Sequence, residues 1–184
     1  LESVWSLDIS LPAQMEVSRS AVSALLDICP NLREFNLSNT VLGGLLYVLG
    51  KSSFLEKVTW NRSKECWLSG HLFHFCNNLK ELILDDSEFP IAPNVLGRFS
   101  DAGDEAFIFS HCKSIERLSI QNARWYDPLA ALFGGHASVS PVPQEALIKF
   151  VRKAPRCLRW FRSDLTKENI DMLRMERPDI EIVN

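Results

Sequence analysis

Two short segments of the sequence contain residue types that could carry out chemistry. Residues 66–76 include four side chains of the kinds that bind zinc: Cys66, His71, His74 and Cys76. Their spacing matches no common zinc-binding pattern. Further along, His111 and Cys112 resemble a base beside a thiol, but neighbouring residues on a helix point in different directions. A metal-dependent enzyme that uses Cys66, His71 and His74 is therefore the least favoured function, and we predict no catalytic residue and no metal ion.

Other signatures of enzymes and of nucleic-acid or membrane proteins are not seen in the sequence. The glycine pairs at 43–44 and 134–135 lack the flanking residues of a phosphate-binding loop. The formal net charge of −3 argues against a nucleic-acid-binding surface. The longest apolar run, residues 41–50, is shorter than the roughly 20 residues that cross a bilayer. We therefore predict no cofactor, no small-molecule substrate, no nucleic-acid partner and no membrane insertion.

Three of the cysteines indicate a repeated structural element instead. Cys29, Cys76 and Cys112 each stand three residues before an apolar pattern of the form L-x-x-L-x-L, in the segments CPNLREFNLSNT, CNNLKELILDDS and CKSIERLSIQNA. The same pattern recurs without cysteine, and it breaks down in the last copy, where Ser163 replaces the third apolar residue. The copies begin at Val4, Leu32, Leu55, Leu79, Ile115 and Leu158, so they are 28, 23, 24, 36 and 43 residues apart.

This pattern resembles the leucine-rich repeat family over essentially the whole chain. It looks most like the ribonuclease-inhibitor-like and cysteine-containing classes, the latter common in F-box proteins. The resemblance implies an α/β fold, namely a right-handed solenoid with a parallel sheet on its concave face and helices on its convex face. One departure is that the usual asparagine after the L-x-L is missing, although Asn39 and Asn122 stand one residue earlier. Its place is taken by Pro12, Thr40, Ser63, Ser87 and Ala123.

The repeats predict a single domain over residues 1–184, with about six repeats, that is part of a longer chain. Parallel strands are expected to begin near residues 5, 33, 56, 80, 116 and 159, with an edge strand near 180–182. Helices that return the chain between strands are expected within 18–30, 41–51, 68–78, 101–113, 143–155 and 166–178. The two longest spacings place insertions near 88–104 and 124–143. Residues 164–184 are expected to form a C-terminal cap.

Charged residues form a regular pattern on the predicted strands. In the frame L-x-x-L-x-L-x, the third, fifth and seventh places should line the concave face. The third-place row of the middle repeats reads Glu34, Lys57, Glu81 and Arg117, with charges that alternate between adjacent strands. Opposite charges on paired strands stabilise the pairing. Because such a ladder neutralises itself, we interpret it as mainly structural, and affinity for a partner must come from elsewhere.

The predicted binding surface lies beside the two insertions. Both insertions follow a strand in consecutive repeats, so they should emerge next to each other on one rim of the solenoid. Trp125 and Tyr126 would be the main anchors, because large aromatic side chains dominate binding hot spots. The alternative is that the apolar residues of the insertions only cover each other and the core edge. The predicted partner-binding residues are Asp85, Asp86, Glu88, Gln121, Asn122, Trp125, Tyr126, Phe133, Trp160 and Arg162.

These observations predict a protein–protein interaction module that binds another protein through its concave face and this rim. Two alternatives stay open: a constitutive structural subunit of a larger assembly, and the substrate-recognition part of an F-box-type ubiquitin ligase, which rests on the resemblance alone. The chain has five cysteines, and three of them occupy one repeat position. Free thiols fit this arrangement better than disulfides, so we expect an intracellular, cytoplasmic protein.

Overall fold

The computed structural model describes residues 3–13, 15–41, 52, 54–63, 78–90, 113–126 and 139–184. Seven short strands within these ranges form one sheet, in which every neighbouring pair is parallel. In the order in which they lie side by side, the strands are β1 (Ser6–Asp8), β3 (Glu34–Asn36), β5 (Lys57–Thr59), β6 (Glu81–Ile83), β8 (Arg117–Ser119), β11 (Trp160–Arg162) and β12 (Glu181–Val183). This order confirms the six predicted strands, each of which begins one residue later than expected, and the edge strand that follows them.

The core forms because the repeat places an apolar residue at the centre of each strand. The central residues of five consecutive strands are at most 1% exposed: Phe35, Val58, Leu82, Leu118 and Phe161. The apolar residues that flank each strand, such as Leu32 and Leu37, are equally buried and belong to the same cluster. Since side chains alternate along a strand, the residues on either side of each central one lie on the opposite face of the sheet, which we call the solvent face.

Within the described ranges, three helices contribute side chains to this core: α1 (Arg19–Ile28), α2 (Gln144–Lys153) and α3 (Lys167–Glu176). All three fall in segments where helices were predicted. Thr166 caps α3, since its hydroxyl accepts a hydrogen bond from the Asn169 N–H at 3.4 Å. The Ser18 hydroxyl, in contrast, contacts Ser20 Oγ and does not bond the backbone of α1. The helices predicted within 41–51, 68–78 and 101–113 lie outside the described residues.

Each strand of the middle repeats is followed by a tight turn with one residue in the left-handed conformation. Those residues are Asn39, Arg62, Asp86 and Asn122, with φ between 52° and 63°. Asparagine and aspartate tolerate this conformation better than other residues with a side chain. The two asparagines that stand one residue before the family's usual asparagine position therefore serve the backbone turn. The turns are also bonded to each other, because the Asn39 N–H donates to the Asn61 carbonyl and the Asp86 N–H to the Gln121 carbonyl, each at 2.8 Å.

Buried hydroxyl groups occupy the place where the leucine-rich repeat family usually has asparagine. Thr40, Ser63 and Ser87 are at most 3% exposed. Trp60 Nε1 donates to Thr40 Oγ1 at 2.9 Å, and Ser63 Oγ donates to Ser87 Oγ at 3.0 Å. Ser87 Oγ in turn donates to the Trp60 carbonyl at 3.0 Å. These residues form what we call the hydroxyl row, which links neighbouring repeats where an asparagine ladder was not expected.

Beyond the turns, short strands extend the edge of the molecule that follows the main strands. The strand β2 (Met15–Glu16) pairs in parallel with β4 (Thr40–Val41). A second small sheet contains β7 (Glu88–Pro90), β9 (Arg124–Tyr126) and β10 (Val139–Pro141), in the order β10-β9-β7. The pair β7 and β9 is parallel, and β10 runs antiparallel to β9. The starts of the two predicted insertions thus lie side by side, while residues 91–104 and 127–138 are outside the described part of the chain.

Candidate functional site

The solvent face of the sheet carries the ladder of opposite charges. In the third-place row, Glu81 lies between two cations, 3.2 Å from Lys57 Nζ and 3.9 Å from Arg117 Nε. In the row beside it, Glu56 lies 3.2 Å from Arg33 Nη1 and 3.3 Å from Lys80 Nζ. Exposed ion pairs of this kind contribute little net stability and leave little charge for a distant partner. The ladder organises the face without supplying a strong attraction to a partner.

The ladder ends at an aromatic residue. Trp160 follows Arg117 in the third-place row, because the two residues are register partners on β11 and β8. The guanidinium carbon of Arg117 lies 4.5 Å from the centre of the Trp160 ring, and that of Arg162 lies 5.9 Å from it. A cation this close to the face of an indole is attracted by the π electrons. The half-buried Trp160 ring is therefore contacted by two arginines, which restrict its orientation.

Asp85 fixes one of these arginines. It is only 9% exposed, and it forms an ion pair with Arg162 Nη2. Its Oδ1 atom accepts hydrogen bonds from Ser119 Oγ at 2.5 Å and from the Gln121 backbone N–H at 2.8 Å. Arg162 Nε donates to Ser119 Oγ at 2.8 Å as well. The Asp85 carboxylate is thus occupied by groups of this chain, and its ion pair holds the Arg162 guanidinium near Trp160.

The predicted polar residues of the neighbouring turns also bond to one another. Asn122 Nδ2 donates to Asp86 Oδ1 at 3.1 Å. On its other side, Asp86 Oδ2 lies 3.7 Å from Arg62 Nε. Asp86, Asn122 and Arg62 are exposed. They form a polar row at the ends of the strands, next to the aromatic and arginine cluster.

The two predicted aromatic anchors differ in exposure. Tyr126 is only 8% exposed, so it offers a partner little surface. Trp125 is half-buried, and Glu88, on the neighbouring strand, is half-buried too. The alternation of side chains along β9 explains the difference, because adjacent residues of a strand face opposite sides. Phe133 lies outside the described residues.

Two contributors to the site were not predicted as binding residues. Arg117 stacks on Trp160, and Ser119 joins Asp85 to Arg162. The repeat frame already places these residues on adjacent strands. Arg117 immediately precedes Trp160 in the row of third-place residues, and Ser119 immediately precedes Arg162 in the row of fifth-place residues. The charges of a row do not reveal this contact, because an arginine can also stack on an aromatic residue beside it.

No group of three or more potential metal ligands occurs among the described residues. The predicted alternative set of Cys66, His71 and His74 lies outside them. Within the same ranges, none of the helices has the length and apolar character needed to span a bilayer.

Comparison with known proteins identifies the architecture. No family model matches the sequence, and no curated protein matches it. Among solved structures, a leucine-rich repeat protein of Leptospira interrogans matches with a TM-score of 0.51 and 14% sequence identity. The chain has a leucine-rich repeat fold. The match covers 100% of this chain but only 37% of the Leptospira protein, and at this level of identity it concerns the fold alone.

Proposed function

We propose that this chain is a protein–protein interaction module whose partner contacts the solvent face around Trp160 and the adjoining turns. The observation that carries the proposal is the cluster of Trp160, Arg117 and Arg162, held in place by Asp85. Tryptophan and arginine are the residue types most enriched in binding hot spots. A side chain that is fixed before binding loses less conformational entropy when the partner arrives, which favours affinity.

The surroundings of Trp160 support a protein partner over a small molecule. The turn residues Asp86, Gln121 and Asn122 provide hydrogen-bonding groups beside the aromatic centre, as in the polar rim of a protein interface. Trp125, on β9, would extend this surface along the edge that follows the strands. Asp85 remains within the proposed site as a positioning residue, whereas Tyr126 is left out because it is buried.

The decisive experiment replaces Trp160. A partner is first captured with the wild-type chain, identified by mass spectrometry and purified. Its affinity is then measured by calorimetry for the wild type, for Trp160→Ala and for Trp5→Ala. Trp5 is the matched control, because it is 68% exposed at the far end of the same sheet. We expect Trp160→Ala to weaken binding by about 30-fold, which corresponds to about 2 kcal/mol, and Trp5→Ala to leave it unchanged.

Thermal unfolding of both variants separates binding from folding. Unchanged affinity of a folded Trp160→Ala variant would refute the proposed surface. A complex that resists high salt and purifies in constant stoichiometry would instead favour a structural subunit of a larger assembly.

We also propose that the solenoid is right-handed, that the solvent face is concave, and that residues 164–184 cap a single repeat domain. Cys29 is a buried free thiol and Cys157 a free one, which supports a reducing, intracellular environment. The ribonuclease-inhibitor-like class and the role in an F-box-type ligase remain predictions from the repeat pattern.

A further inference from the structure

An arginine-lined cleft lies at the end of the sheet where the strands begin. Its volume is about 540 Å³, and it is lined by Arg152, Ala154, Arg156, Arg159, Arg177 and Asp179. It forms where the connection from α2 to β11 meets the connection from α3 to β12. The small sheet of β7 and β9 lies where the main strands end, whereas the cleft lies where the main strands begin.

The sequence concentrates positive charge in this region. Between Glu145 and Asp164 there is no acidic residue, whereas six basic residues occur: Lys149, Arg152, Lys153, Arg156, Arg159 and Arg162. The chain as a whole has a net charge of −3. The cleft is therefore a local positive surface on an acidic protein.

Two of the four arginines are committed to holding the cleft together. Arg177 donates to the Val151 carbonyl at 2.8 Å and pairs with Asp179 through two hydrogen bonds of 2.9 Å. It thereby caps the carboxyl end of α2, whose last carbonyls lack partners within the helix. Arg152 forms two hydrogen bonds of 2.7 Å with Glu176. The walls of the cleft are fixed by these contacts.

The other two arginines, Arg156 and Arg159, have N–H groups that can donate hydrogen bonds to a ligand. The Arg159 side chain is 61% exposed, and among the residues that the structure describes it reaches only Asp179, at 3.8 Å. Arg156 is exposed and has no hydrogen bond or ion pair with any other residue that the structure describes. Three of the four guanidinium groups pair with two carboxylates, those of Glu176 and Asp179, so the four arginines leave an excess of two positive charges. A guanidinium group matches a carboxylate with two parallel hydrogen bonds.

We propose that this cleft binds an acidic segment of a partner protein, with Arg156 and Arg159 contacting its carboxylates. The volume of the cleft exceeds what a single small anion fills, and it suits a peptide segment that carries several acidic side chains. The inference rests on the proposed function in taking the ligand to be a protein, but it uses different residues, in and around the connections that lead into β11 and β12. Arg152 and Arg177 hold the site in shape, and Arg156 and Arg159 provide the contacts.

The test uses a fluorescent polyglutamate peptide and the purified whole chain. Binding is followed by fluorescence anisotropy at low and at physiological ionic strength. We expect the double variant Arg156→Ala with Arg159→Ala to bind at least tenfold more weakly than the wild type. The matched control is Arg33→Ala with Lys80→Ala. It removes two exposed positive charges that pair with Glu56, next to β3 and β6, and it should bind almost as well as the wild type. Circular dichroism verifies that each variant is folded.

A charge-preserving variant distinguishes the effect of positive charge from that of the paired hydrogen bonds. Arg156→Lys with Arg159→Lys retains the net charge but not the paired hydrogen bonds, so we expect intermediate affinity. Equal weakening by the cleft variant and the control would overturn the proposal, because it would show nonspecific attraction. So would the absence of binding by the wild type at low ionic strength. Displacement of the peptide by inorganic phosphate, but not by chloride at equal ionic strength, would assign the cleft to a phosphate group instead.

Because this probe needs no natural partner, the result is independent of the Trp160 experiment. Peptide binding that is lost in the cleft variant but kept in Trp160→Ala would support the cleft alone. The reverse result would support only the solvent face.

Discussion

Two fully buried serines show how the same side chain has opposite effects in different repeats. Ser87 Oγ donates to the Trp60 carbonyl and accepts from Ser63 Oγ. Ser163 stands where the other repeats have leucine, isoleucine or tryptophan, and its hydroxyl has no hydrogen-bond partner among the residues that the structure describes. A buried polar group without a partner loses its hydration and gains nothing in return.

We therefore expect Ser163→Ala to stabilise the protein, by up to about 1 kcal/mol, since it removes the unpaired hydroxyl. Ser87→Ala is the matched control, because it deletes a bonded hydroxyl from an equally buried serine. It should destabilise by about 1–2 kcal/mol, since its partners Ser63 and Trp60 would lose a bond. Urea-induced unfolding measures both changes. Changes of the same sign in the two variants would contradict the assignment of Ser163 as unpaired.

At the scale of single elements, each strand that carries the ladder interacts with the charged side chains of both neighbouring strands. Lys57 on β5 stands in register with Glu34 on β3 and Glu81 on β6. Charges directly opposite each other on paired strands contribute roughly 0.2–1 kcal/mol, and like charges destabilise by similar amounts. One reversed charge in β5 therefore acts on both neighbouring strands.

Replacing Lys57 with Glu should lower the free energy of unfolding by about 1 kcal/mol at low salt, because three carboxylates would then lie in one row. The difference from the wild type should shrink as sodium chloride is added, since salt screens exposed charges. Lys57→Met is the control, because it removes the ion pair without adding repulsion, and it should show a weaker dependence on salt. A Lys57→Glu variant whose stability does not respond to salt would speak against the ladder.

The strands were predictable and the site was less so, for a physical reason. Strand positions follow from the spacing of large apolar residues, which must all reach one core, so β3, β5, β6 and β8 could be located within one residue. The exposure of Tyr126 depends on a short strand, β9, that no apolar repeat specifies. The bond between Asp85 and Arg162 joins residues 77 positions apart, and spacing alone does not show that their side chains meet.

At the scale of the whole molecule, the ion pairs around the last two connections of the fold make its stability depend on pH in the acidic range. Arg177, through its hydrogen bonds, lowers the pKa of Asp179 from 3.8 to about 2, and Arg152 lowers the pKa of Glu176 in the same way. A carboxylate whose pKa is lower in the folded state contributes stability above its unfolded pKa and loses it as the pH falls through the folded value. These contributions are therefore complete at neutral pH.

We expect the free energy of unfolding to decrease as the pH falls from about 4 to about 2, the window set by Asp179. In an Asp179→Asn variant the decrease over this window should be smaller, because one of the titrating groups is gone. Both pairs are exposed, so the effect should be modest and should weaken with added salt. Urea unfolding at a series of pH values, with Asp171→Asn as an exposed acidic control on α3, measures the difference. An identical pH dependence of Asp179→Asn and the wild type would show that the pair is not formed in solution.

The side-by-side order of the seven strands also determines how the molecule would respond to a mechanical load. When a chain of this kind is pulled from its two ends, the force acts across the strands, so hydrogen bonds break one strand at a time instead of all together. A freed repeat of 24 residues would lengthen the tether by roughly 80 Å, whereas the repeats of 36 and 43 residues would add roughly 120 and 150 Å. The unequal repeat lengths would thus appear as extension steps of unequal size. The step sizes recorded from a single stretched molecule would give the number of residues in each repeat.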